Sequence, residues 1–203
     1  TYLSSRSLTN YHNLLAQQQQ NIHKEIERLQ ELSEKLDSYI AELNKLNCIQ
    51  YGKIELVKQP EQYYFVVKGC KDSESFKERS LHAAKLFLAL RDQLPFKQHF
   101  FGYVVDMQAL YNQEHFYGRE FYYPLPSPLP TLKYRVRPAG NYLTLYFMGT
   151  YMHNSTTNLK KLGQYCLEHH LTPLSDIYVT SLLNYWTTAK TEDYAYKLEV
   201  RVQ

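Results

Sequence analysis

The sequence predicts an α+β chain: a long amino-terminal dimerisation helix, then a duplicated β-α-β-β domain. Apolar residues recur every seven positions from Leu8 to Leu43, the period of a helical seam. A segment of Pro, a polar turn, Tyr, an apolar strand and Gly occurs twice, from Pro60 to Gly69 and from Pro138 to Gly149. Tyrosine supplies 20 of the 203 residues, against a single Trp, so many rings need a use.

The helix comes first. No Gly or Pro interrupts Leu8 to Leu46. Leu8, Leu15, Ile22, Leu29, Leu36 and Leu43 form the seven-residue row, joined by Ile26, Leu32, Tyr39, Ile40 and Leu46, while Gln17 to Gln20 and charged residues fill the other faces. At about 1.5 Å per residue this is a rod of about 58 Å. A rod with one apolar stripe cannot bury that stripe alone. The sustained period favours a homodimer through those six residues over packing on the chain's own second domain. Helix propensity fails between Asn47 and Gly52. Residues 1–47 are therefore read as the dimerisation helix and 48–203 as the second domain.

Within that domain, helical patterns follow each repeated segment. Ser75 to Leu94 carries Leu81, Ala84 and Leu88, and Asn158 to His169 carries Leu159, Leu162 and Cys166. A strand with a Tyr-Val core follows in each half, at Gly102 to Val105 and Ile177 to Val179. Each half ends on an aromatic alternating strand, at Arg119 to Tyr123 and Tyr194 to Val202. The halves are 48–123 and 131–203. Between them, 124–130 holds four prolines in seven residues, a stiff extended connector.

Several function classes lose support. The longest apolar run, Leu86 to Leu90, is far short of a membrane span, and Thr1 to Ser7 has no signal-like apolar core. Cys48, Cys70 and Cys166 cannot all pair and form no C-x-x-C, which fits a reducing, cytoplasmic setting. A net charge of +3 does not by itself imply nucleic acid. Eight histidines make no zinc pattern, and His169 and His170 read as helix-end cations. No phosphate loop or nucleophile elbow is present. No metal and no cofactor is expected.

Two stretches, Leu171 to Tyr178 and Thr191 to Val202, hold a Ser-Asp-x-Tyr strand and a final strand introduced by an acidic pair and Tyr. With the Leu8-to-Leu46 helix, they make the chain resemble the carboxy-terminal part of a MerR-family transcription regulator of the multidrug-sensing type. There a linker helix leads into a GyrI-like effector-binding domain. The resemblance implies a homodimer, a small-molecule effector, and promoter DNA bound through a winged helix-turn-helix domain absent from this chain. Such a domain would add about 70 to 100 residues before Thr1. Some GyrI-like domains resemble hydrolases using a cleft Glu and Tyr, for which Glu120 and Tyr103 are the candidates here. A stand-alone binding protein is a further alternative. The rod favours the regulator, and no enzyme activity is expected.

The resemblance also implies a cleft between the halves, on the concave face of the sheet. Drug-sensing relatives have a buried Glu just after the Ser-Asp-x-Tyr segment to pair with a cation; Val179 holds that place here. Alternation puts Glu120 and Tyr122 on one strand face, the face the resemblance turns to the cleft. Phe101 and Tyr103 share a face of their strand, Tyr142 opens its strand, and Tyr146 and Tyr151 flank its end. Tyr194 matches a family aromatic, while Glu192 sits at the mouth in solvent. Aromatic rings of this kind stack on flat ligands and attract cations. With the central Glu replaced, the effector expected is a small hydrophobic aromatic, neutral or weakly cationic rather than a permanent dication.

Overall fold

The computed structural model describes residues 7–68, 78, 81, 82, 84, 85, 88, 89, 102–112, 118–125, 127, 128, 134–185 and 187–203. It divides into two compact units, Thr1–Ile49 and Gln50–Gln203.

The first unit is one helix, α1 (Leu8–Leu46). Ser7 caps it: its hydroxyl accepts from the Asn10 backbone N–H at 3.1 Å, satisfying one of the donors a helix start leaves open. Lys45 sits in the last turn, where the helix dipole favours a cation. The six residues of the seven-residue row are all exposed in the single chain, from 44% for Leu43 to 86% for Leu8.

The second unit is built on β1 (Ile54–Gln59), β2 (Gln62–Lys68), β3 (Gly102–Val105), β4 (Gly118–Leu125), β5 (Tyr134–Arg137), β6 (Gly140–Met148), β7 (Ile177–Leu183) and β8 (Ala195–Val202), with α2 (Tyr151–Glu168) between β6 and β7. Each half thus has one strand more than the alternation predicts, β1 and β5. β5 is four residues long and mostly exposed, and β1 offers only Ile54 and Leu56 in alternation, half its residues being exposed. Helical backbone is present at Glu78, Leu81, His82, Ala84, Lys85, Leu88 and Ala89, but Leu81 and Leu88 are exposed. That stripe is not a buried face; the rest of the expected helix lies outside the described residues. The expected connector starts inside a strand, since Pro124 and Leu125 end β4. Pro124 lies past the last residue of β4 that pairs with β3, where one side of the strand has no ladder to break.

The eight strands are antiparallel neighbours in the order β1-β6-β8-β7-β3-β4-β2-β5. A flat sheet of that order is impossible. β1 and β2 would lie six spacings apart, about 29 Å at about 4.8 Å each. Yet Gln59 and Gln62 are three residues apart, a reach of at most about 11 Å. The registers show how the chain resolves this. Ile54 pairs with Leu145 and Gln59 with Gly140; then Gln62 pairs with Arg137 and Phe65 with Tyr134, all in one unbroken register. β1 with β2, and β5 with β6, are therefore two long bent strands paired along their length. The bend falls where Pro60 and Glu61 face Ala139 and Pro138, and neither proline can donate to a ladder. The sheet curls until its ends are joined through these bent strands.

A shift of 78 residues relates the halves. It carries Pro60 onto Pro138, Tyr64 onto Tyr142 and Gly102 onto Thr180, which face each other across β3 and β7. Of the adjacent Tyr63 and Tyr64, the proline bends thus align Tyr64, the buried one, with Tyr142.

One face of the sheet packs on α2. Leu143, Leu145, Ile177, Val179, Leu198 and Val200 meet Leu159, Leu162 and Cys166. Gly163 lets α2 approach the short 3-10 helix Met107–Leu110, because a Cβ there would stand 2.3 Å from the Leu110 carbonyl oxygen. The other face lines the hollow of the curl.

Candidate functional site

Strand alternation decides which side chains enter that hollow. β8 is the clearest case. Leu198, Val200 and Val202 belong to the α2-side core, so Lys197, Glu199 and Arg201 point the opposite way. Across from them, Tyr142 on β6 pairs with Arg201, and Tyr178 on β7 pairs with Glu199. Tyr64, Val104, Tyr122, Tyr142 and Tyr178 form one buried cluster on this face.

At its centre lies an ion pair. Arg137, at the end of β5, donates from Nη1 to Glu199 Oε2 at 2.8 Å, with side chains 2% and 1% exposed. Along the sheet these strands are five spacings apart, about 24 Å if flat. The pair exists because the sheet curls. Lys197 adds a second cation to the same oxygen, Nζ standing 3.0 Å away. The guanidinium carbon sits 4.5 Å from the Tyr142 ring centroid, 5.4 Å from Tyr178 and 5.8 Å from Tyr64. All are within the range of cation–π attraction, about 0.5–2 kcal/mol each.

Three rings of the cluster are pinned by hydrogen bonds. Tyr142 donates to the Pro138 carbonyl at 2.7 Å, holding it to the bend. Tyr64 donates to Gln62 Oε1 at 2.7 Å. Tyr122 and Thr180 share a hydrogen bond of 2.7 Å. Gly102 makes room for the Tyr122 ring: a Cβ there would meet Tyr122 Cζ and the Val179 carbonyl, each at 2.3 Å. Burial raises the hydroxyls of Tyr64 and Tyr122 far above the ordinary phenol range, so both stay neutral. The attraction for Arg137 thus comes from ring faces and from Glu199, not from a phenolate.

Burial alone would raise the Glu199 carboxyl, but the charges and hydrogen bonds of Lys197 and Arg137 outweigh it and hold it below its ordinary value. Burial likewise works against the charge on Arg137, and Glu199 together with the neighbouring Tyr64 and Tyr142 more than offsets it. Three buried polar atoms on this face, Arg137 Nε, Glu199 Oε1 and Thr144 Oγ1, have no hydrogen-bond partner among the described residues. Two cations and one carboxylate leave the centre with a surplus positive charge.

The residues singled out in the sequence divide between two faces. Glu120, Tyr122, Tyr142 and Tyr146 lie on the hollow face, Glu120 opposite Val104 and Tyr146 opposite Lys197. Glu120 is bound at the rim by both terminal nitrogens of Arg135. Tyr103 and Val179 pair with each other on the α2 side, against the expectation that Tyr103 lines the cleft. Tyr103 packs edge-on against Tyr151, ring centroids 4.8 Å apart, so Tyr151 also belongs to the core. The physical reason is parity: Tyr103 is one residue from Val104, and Val104 faces the hollow. Glu120 and Tyr103 stand on opposite faces and do not form the dyad considered for a hydrolase. Tyr194 turns the chain into β8, its carbonyl accepting from the Gly149 N–H at 2.8 Å. Phe101 lies outside the described residues, as does Cys70. Sequence reasoning missed Tyr64, Arg137 and Glu199, and named Tyr178 only as part of a motif. The charged row Lys197, Glu199 and Arg201 alternating with apolar residues was the available signal. Among the described residues, no group of three His, Cys, Asp or Glu could hold a metal, and no helix is long and apolar enough to cross a membrane.

Comparison with solved structures places this geometry. The carboxy-terminal domain of EcmrR matches 74% of this chain and 97% of its own, with 13% identity and a TM-score of 0.53. The chain shares that domain's fold. EcmrR in its complex with DNA matches the whole chain over 75% of its own length, at 12% identity and a TM-score of 0.57. An uncharacterised conserved protein from Listeria innocua matches 80% of this chain and 98% of its own, at 11% identity and a TM-score of 0.52. No family model and no curated protein matches the sequence. The α+β fold expected from the sequence, a long helix followed by an antiparallel sheet domain, is the fold observed.

The ion pair generates a prediction about acid. Because its folded pKa is depressed, Glu199 stabilises the fold at pH values above its ordinary 4.5, and that contribution is lost as pH falls through the lower folded value. Glu199→Gln leaves the buried Arg137 and the half-buried Lys197 without a counter-charge and is expected to cost about 3–5 kcal/mol at pH 7. In urea unfolding followed by circular dichroism, the difference from wild type should shrink steadily below pH 4.5. A difference that stays constant through that range would show that Glu199 is not held ionised.

Proposed function

We propose that the chain is the effector-sensing and dimerisation part of a ligand-responsive, DNA-binding transcription regulator of the cytoplasm. It recognises a small hydrophobic aromatic molecule in the hollow between its two halves. The observation that carries this reading is the cluster of Tyr64, Tyr122, Tyr142 and Tyr178 around a buried ion pair. A protein with no ligand to bind gains more from apolar side chains in such a place, because burying ions and hydroxyls is costly. The fold shared with EcmrR, a protein solved on DNA, supports the regulator class. On this reading promoter DNA is met by a domain outside this chain.

The chemistry also narrows the effector. Glu199 already faces two cations, Arg137 and Lys197, so a dication brought to the centre meets surplus positive charge. Neutral aromatics, which stack on ring faces without that repulsion, fit best. Calorimetric titration should show a neutral planar aromatic dye binding at least tenfold more tightly than a permanent dication of similar size. Tyr178→Ala should weaken that binding by about tenfold, the equivalent of about 1.4 kcal/mol. A preference for the dication, or binding indifferent to Tyr178, would reject the site.

Dimerisation is assigned to α1 through Leu8, Leu15, Ile22, Leu29, Leu36 and Leu43. A seven-residue period keeps these side chains on one seam, and all six are exposed in the single chain. Burying each against a second copy is worth about 1.5–3 kcal/mol if complete. Sedimentation equilibrium should give a dimer for the wild type and a monomer for Ile22→Asp/Leu29→Asp. A wild-type monomer at tens of micromolar would overturn the assignment.

A further inference from the structure

The centre of the hollow has the parts of a receptor for an organic cation. Three tyrosine rings lie within 5.8 Å of one point, and a buried carboxylate stands beside it. Aromatic rings supply attraction without charge, and a desolvated carboxylate supplies it with charge. That point is occupied by the chain's own Arg137. The occupant donates from Nη1 to Glu199 Oε2, while Arg137 Nε and Glu199 Oε1 have no partner among the described residues. A guanidinium can offer five N–H donors in a fixed fork and a carboxylate can accept them in pairs. The observed pairing uses less than either group can make.

Arg137 is also placed to matter. It is the last residue of β5, next to Pro138, and the bend there is tied by Tyr142, whose hydroxyl donates to the Pro138 carbonyl. The 78-residue shift that relates the halves sets Gln59 opposite this role in the other half, so only one side of the pseudo-symmetric hollow carries the cation. β5 pairs with β2 alone, over four residues. It is the least supported strand of the curl, and Arg137 ties it across the hollow to β8.

We infer that Arg137 is a tethered occupant of an aromatic-cage cation site, so that an external guanidinium or alkylammonium ion enters only by displacing it from Glu199. Entry of such an ion exchanges one cation for another at Glu199 and frees the end of β5 at the Pro138 bend. The exchange conserves charge at the carboxylate and transfers no proton. A bound cation and a docked Arg137 exclude each other, which makes the bend responsive to the occupant. The inference rests on the hollow being a ligand site, as proposed above, but assigns its cation position to the chain itself.

The test uses methylguanidinium as probe and the whole 203-residue chain. Arg137→Ala removes the occupant and leaves the cage. It should bind methylguanidinium saturably, at least tenfold more tightly than wild type, with a rise in thermal midpoint that sodium chloride at equal ionic strength does not reproduce. Arg137→Ala/Glu199→Gln should lose that binding. If Arg137→Ala does not fold in plain buffer, recovery of its folded circular dichroism signal on adding methylguanidinium reads the same site. Absence of saturable binding or recovery, persistence in the double variant, or equal affinity in wild type would each overturn the inference. The effector reading is judged separately, on aromatic dyes and wild-type protein. Methylguanidinium binding by Arg137→Ala alongside no dye binding by wild type would keep the tethered occupant and discard the effector.

Discussion

A buried guanidinium and a buried carboxylate, Arg137 and Glu199, meet across the hollow of a sheet whose ends are brought together by two bent strands. Taking either charge out of water costs several kcal/mol, and only good geometry recovers it. Here the geometry is supplied by the curl. The pair in turn restrains β5, which has a ladder on one side only. Tyrosines answer the remaining difficulty, since rings around Arg137 offer a favourable face where a hydrocarbon wall would not. The tyrosine-rich composition has a local cause in this cage and a second one in the α2-side cluster of Tyr103, Tyr151 and Tyr196.

The scaffold is close to symmetric and the site is not. Prolines at equivalent places bend both long strands, and Tyr64 and Tyr142 occupy equivalent places on either side of the bend. Arg137 has Gln59 as its counterpart. Duplication therefore explains the hollow, and departure from duplication explains its charge. The combination joins a stiff frame to one strand end, β5, that is tied from the centre of the hollow.

Much of this was legible in the residues. The seven-residue row gave α1 its limits, and the repeated Pro-to-Gly segments pointed to duplication. Leu159, Leu162 and Cys166 marked the buried face of α2 correctly. Other parts were hidden for identifiable reasons. β1 and β5 are short segments of weak apolar alternation, and their pairing across the halves is a long-range property that no window of sequence contains. A single-residue slip in parity sent Tyr103 to the wrong face, as period two makes any slip do. The Glu that the sequence resemblance led one to expect has Val179 in its place, while the carboxylate in the hollow comes from Glu199 on the neighbouring strand. Arg137 was invisible because its partner is 62 residues away. Only the charged row of β8, alternating with apolar residues, hinted that a central strand turned charge into the hollow.

The central claim is that Arg137 and Glu199 act as one unit, so the most direct measurement is a double-mutant cycle on unfolding. Arg137→Met, Glu199→Leu and the double variant would be compared with wild type in urea at pH 7. The account predicts two single variants each destabilised by about 3–5 kcal/mol and a double variant that recovers much of the loss, since similar volume without charge suits a buried site. Losses in the double variant that simply add would mean the two groups are stabilised independently, and would contradict it.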